Sequence, residues 1–179
     1  PDAPRHSSAG RHFILAQRWP AAPRRLSATL GLRELMQTYS FAVALRIWHP
    51  SIDPTIITES LQMQPVHQAM AGSRRRTSKG QLLDGHWRES YWSADPFKYG
   101  EYLSHDMGVE DVLADVCTAL APHRAFLNTL RSEGGRLLVQ VSSYSARNYA
   151  FELSPDQLVA LADLGVGFAH DIYPVAQRL

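Results

Sequence analysis

The chain has 179 residues, 45% of them hydrophobic and 20% charged, which suits one globular domain with a core of its own. A single cysteine, Cys117, excludes an internal disulfide, and no apolar run approaches the roughly 18 residues that span a bilayer. The net charge of +1 divides unevenly: residues 1–35 carry +4 and the remainder −3, so the part expected to fold is mildly acidic and nucleic acid is disfavoured as a partner.

Residues 1–35 are rich in Arg, Ala, Pro and Ser and show no sustained periodicity. The expectation is that they are unstructured, or lie upstream of a natural start at Met36. From 36 to 179 a single domain is expected. Phe41, Val43, Leu45 and Ile47 alternate with Ala42, Ala44, Arg46 and Trp48. A period of two over eight residues predicts a strand with one buried face. His49-Pro50 ends it. Asp53 stands at an N-cap position and Pro54 at the first helical position, which predicts a helix to about Met63, closed by Pro65.

A short strand near 67–71 is followed by an expected exposed basic loop, Arg74-Arg75-Arg76 to Lys79. The aromatic run HWRESYWS (86–93) predicts a strand, and 95–108 a connection. Val109, Val112, Leu113, Val116 and Leu120 begin a helical stripe. Pro122 interrupts it, Phe126, Leu127 and Leu130 continue it, and Gly134-Gly135 ends it. RLLVQVSSY (136–144) is a strand, and Tyr149–Leu153 is expected to return as its hairpin partner after a turn at 146–148. Ser154 and Gln157 form a capping box around Pro155, opening a helix that ends before Gly165. Val166–Ile172 is the last strand.

This order predicts an α+β fold of two layers: a mainly antiparallel sheet with helices on one face, either ferredoxin-like or built of pseudo-duplicated βαβ halves. Splitting each strand by side-chain alternation gives an apolar set led by Val43, Leu45, Ile47, Val139, Val141 and Phe151. The opposite set mixes aromatics, small residues and charges: Arg46, Trp48, Tyr144, Glu152, Asp171 and Tyr173. That face could be an ordinary solvated one laced with ion pairs such as Arg46 with Asp171 or Glu152, or it could seat a partner. Candidate binding residues are those six together with His49, Arg88, Trp92 and Arg147. Arg88 beside Trp87 and Trp92 could hold an anionic or planar ligand. The eight histidines show no metal-ligand spacing, and His170 falls on the apolar face as a hydrogen-bonded core residue. No catalytic residue, metal or cofactor is assigned.

LRIWHPSIDPTIIT (45–58), RESYW (88–92), RNYAFELSP (147–155) and DIYP (171–174) together resemble a bacterial family catalogued as domain-of-unknown-function family 4279, over about residues 40–175. The resemblance implies a small, stand-alone, soluble domain with no established activity and no catalytic residues to carry over. Residues 1–35 have no counterpart in it, and LQMQP (61–65) departs from its pattern after the first helix.

The expected function is a non-catalytic, protein-binding module, accessory or immunity-like and cytoplasmic, that uses the mixed sheet face. A small-molecule binder or enzyme with a cleft near His49, Arg46, Arg88 and Asp171 is the alternative. A single-stranded nucleic-acid binder is the third. No membrane association is expected, and the oligomeric state is left open.

Overall fold

The computed structural model describes residues 38–77 and 79–174. The expectations for residues 1–35 and for a start at Met36 lie outside the described residues. Strand β1 (Ser40–His49) is the centre of the sheet, and its burial alternates as its sequence does. Phe41, Val43, Leu45 and Ile47 are buried, while the residues between them are half-exposed.

Helix α1 (Pro54–Leu61) starts where the Asp53 carboxylate accepts from the Thr55 N–H at 2.9 Å, with Pro54 giving up no useful donor. It ends at Leu61, two residues earlier than the periodicity suggested, with Gln62 as its cap in left-handed geometry (φ 55°). Then come β2 (His67–Ala69), β3 (Arg74–Arg76), β4 (Leu82–His86), β5 (Ser90–Ala94) and β6 (Tyr102–Leu103). Helix α2 (Val109–Leu120) runs through a 3-10 turn, Ala121–His123, into α3 (Arg124–Ser132), so Pro122 makes the break its backbone demands. Strand β7 (Arg136–Ser145), helix α4 (Pro155–Leu164) and strand β8 (Gly167–Pro174) complete the fold. The expected capping box forms at α4: Gln157 N–H donates to Ser154 Oγ, and the Ser154 N–H to Gln157 Oε1 at 2.8 Å.

The sheet order is β2-β5-β1-β7-β8, with β6 prolonging the β5 side of β1. All pairings in it are antiparallel except β7 with β8. Strands β1 and β2 run parallel with β5 between them, and β5 and β7 run parallel with β1 between them. Of the two topologies left open by the sequence, this is the ferredoxin-like interleaving of split βαβ units. Helix α4 and β8 extend it by one further parallel strand. The helices pack on the face carrying Leu45, Ile47, Val139 and Val141, where Ile57, Leu61, Leu113, Leu120, Leu127 and Leu161 close the core.

Three local expectations are corrected. Residues 149–153 form no strand. Tyr149 and Phe151 instead turn onto His170 and Phe168, Tyr149 also meets Tyr39, and the Glu152 N–H donates to Glu110 Oε1 at 3.0 Å. The β7 edge is occupied by β8 across eight register positions, which the α4 crossover makes reachable, and a five-residue hairpin arm cannot match that pairing. The basic loop is a hairpin arm: Arg74 lies opposite His86 and Arg76 opposite Leu82, with Gly80 and Gly85 at positive φ in the turn and arm. Accordingly β5 begins only at Ser90, because Trp87 is bonded at its N–H and its carbonyl to Ser73 and Gly72 at the base of that arm.

Candidate functional site

On the sheet face away from the helices, the register brings together residues from four strands. Arg46 lies opposite Ser93 on β5 and Leu138 on β7, and Trp48 opposite Tyr91 and Arg136. Gln140 pairs with Ala44 and Ala169, Ser142 with Ala42 and Asp171, and Tyr144 with Tyr173. Arg46, Trp48, Tyr144, Asp171 and Tyr173 therefore share one face, as their alternation implies.

Two aromatic groups flank it. At one end the Trp48 and Tyr91 rings are 5.3 Å apart, and Trp87 stacks on Tyr91 at 6.2 Å with 7° between planes. Arg136 lies over Trp48, its Cζ 4.8 Å from the ring centroid, and its Nη2 donates to Glu89 Oε1 at 3.2 Å. At the other end Tyr144 and Tyr173 stack at 5.4 Å. Between them Gln140, only 4% exposed, donates its Nε2 to Ser142 Oγ and to Asp171 Oδ2.

Arg46 stands apart from this network. Asp171 is two strands away and four register positions along, so the expected ion pair is not made, and Glu152 is off the sheet. Its Nε is buried without a hydrogen-bond partner among the described residues. A half-buried guanidinium normally meets an acceptor, because desolvating it without one is costly.

The remaining candidates scatter. His49 faces the helix side, 4% exposed. Its Nδ1 accepts from the Ser51 and Ile52 N–H groups at 3.2 and 2.9 Å, which places the ring proton on Nε2, facing Glu133 Oε2 at 3.2 Å. The imidazole thus closes the β1–α1 loop and is not offered to a substrate. Trp92 is fully buried under α1, donating Nε1–H to Thr58 Oγ1 at 3.0 Å, so it belongs to the core and not to a ligand surface. Arg88 is exposed in the bend before β5, and Arg147 in the turn after β7, where its N–H donates to Ser145 Oγ at 3.2 Å. The four side chains proposed for one cleft (His49, Arg46, Arg88 and Asp171) thus sit on two faces and a loop. Arg136, and not Arg88, is packed on a tryptophan ring (Trp48) and paired with a carboxylate (Glu89). Sequence reasoning missed Arg136, since only the β1–β7 register sets it beside Trp48.

His170 bonds as expected of a core histidine: its Nε2 is 2.8 Å from Ser143 Oγ and 2.9 Å from Tyr149 OH. Burial lowers its pKa, with neighbouring Asp171 opposing. Ser143 is fully buried, so this Ser–His contact fastens the 149–153 segment to β8 and presents no nucleophile. Burial raises the pKa of the Cys117 thiol, which keeps it protonated. Among the described residues no three His, Cys, Asp or Glu side chains gather as a metal ion needs, and no helix is long and apolar enough to cross a membrane.

No curated protein and no solved structure matches the chain. A family model described as "Domain of unknown function (DUF4279)" matches residues 36–175, which take in every strand and helix described above. The chain belongs to the DUF4279 family.

Proposed function

We propose that the domain is a non-catalytic binding module, accessory or immunity-like, whose helix-free sheet face seats an acidic segment of another protein. The observation that carries this is Arg46, half-buried on the central strand, its Nε buried and without a hydrogen-bond partner among the described residues. A carboxylate from a partner pairs with the outer end of the guanidinium and offsets the cost of holding its charge half-buried. The aromatic groups on either side offer rigid apolar area of the kind that anchors protein interfaces.

The test compares recovery of partners from native lysate by the wild type, Arg46→Glu and Val159→Ser, the last on the exposed surface of α4. A stoichiometric partner retained by the wild type and Val159→Ser but lost by Arg46→Glu is the expected result. Recovery that ignores Arg46→Glu rejects the reading.

A further inference from the structure

A second site lies at the opposite end of the sheet from β8. A cleft of about 620 Å³ wraps the free edge of β2, between the β3–β4 hairpin and the first turn of α1. Its volume is in the range of about 300–1,000 Å³ that small-molecule sites occupy. None of the ten candidate binding residues lines it, but Trp87 and the basic run at Arg74 and Arg76 do.

Its walls differ in chemistry. One is aromatic and fixed: Trp87 stacks on Tyr91, which is backed by Trp48. The Trp87 main chain is held on both sides, its N–H donating to Ser73 O at 2.9 Å and its carbonyl accepting from Gly72 N at 2.7 Å. The facing wall is cationic, with Arg74 and Arg76 two residues apart on β3. Arg76 spends one donor on Gly80 O at 3.3 Å, and Arg74 has no side-chain partner among the described residues. Asp53 is the cleft's one carboxylate, and it is turned to the α1 N-terminus as its cap. The hairpin contributes nothing to the core, being exposed at every residue of both strands.

We infer that this cleft binds a nucleotide, its base against Trp87 and its phosphate between Arg74 and Arg76. A planar ring matches the indole face, and an anion of fixed geometry matches two forked donors on one wall. Neither a bare phosphate nor a neutral ring uses both walls. The site does not use Arg46, although its aromatic wall shares Tyr91 and Trp48 with the open sheet face.

Isothermal titration with AMP, adenosine, inorganic phosphate and an eight-residue single-stranded DNA tests it. AMP is expected to saturate one site, and adenosine and phosphate each to bind at least about tenfold more weakly, since each lacks one set of contacts. Trp87→Leu and the double variant Arg74→Ala/Arg76→Ala each weaken AMP by about tenfold or more, while Trp87→Phe, which keeps a ring and the fold, stays within about threefold. Val159→Ser binds as the wild type does. Tighter binding of the oligonucleotide with the same variant dependence supports the chemistry and places the nucleotide within a strand. Absence of saturation by AMP and by the oligonucleotide overturns the inference, as does phosphate binding as tightly as AMP.

Discussion

Replacing Arg46 by methionine should make the free domain more stable while it removes the interaction surface. Arg46 is half-buried, its Nε is buried without an acceptor among the described residues, and its cross-strand neighbours Ser93 and Leu138 carry no charge. An unsatisfied buried donor costs about 1–3 kcal/mol, more where charge is involved. Methionine keeps an unbranched stem on the sheet and removes the charged head. Arg46→Met is therefore expected to raise the unfolding free energy by about 1–3 kcal/mol, or about 3–10 °C in Tm for a domain of this size. Urea unfolding followed by tryptophan fluorescence measures it, and the transition slope should stay at the wild-type value so that the midpoint alone reports the gain. A lower midpoint would show that Arg46 is already satisfied in the free protein, and the binding face would lose its central argument. Stability gained together with partner recovery lost is the signature of a residue kept for function.

Thr58→Val keeps the shape of the side chain but strips the acceptor from the buried Trp92 indole N–H, 3.0 Å away, and is expected to cost about 1–3 kcal/mol in urea unfolding. Wild-type stability there would mean that α1 does not pack on β5 through this bond. Gly135→Ala places a Cβ 2.6 Å from the Leu130 carbonyl oxygen and 3.1 Å from His49 Cδ2, so the β7 entrance must shift, at about 1–3 kcal/mol. A neutral outcome in thermal melts would contradict the tight turn between α3 and β7. Burial lowers the pKa values of His170 and His123 below 6.5, so the unfolded chain binds protons that the folded one refuses. Their contribution is complete above pH 6.5 and shrinks as the pH falls through that value toward their folded pKa values. Melts between pH 7.5 and 5 (about the range in which histidine titrates) should show this loss, and His170→Gln should lessen it. An unchanged slope in that variant would remove His170 from the account.

Much of this architecture was legible because it is written locally. Alternation in 41–48 named the buried face of β1, Asp53-Pro54 and the Ser154–Gln157 box located two helix starts, and Pro122 located the break between α2 and α3. Each follows from residues within one turn or a few pleats of one another. The DUF4279 pattern was legible for the same reason, as short runs in a fixed order.

Strand partners and registers were decided only in three dimensions. The segment 149–153 alternates like a strand, yet β8 occupies the β7 edge and the segment's rings turn onto β8 instead. Both faces of 87–92 carry aromatics, so the sequence offered no reason to send Trp92 inward and Trp87 outward until α1 was laid over β5. Arg136 meets Trp48, and Asp171 meets Gln140 in place of Arg46, because of pairings between residues tens of positions apart. A shift of one residue in any of those registers would exchange the faces. Periodicity therefore tells which residues of a strand travel together, while the identity of what they meet depends on contacts that close only when the whole sheet forms.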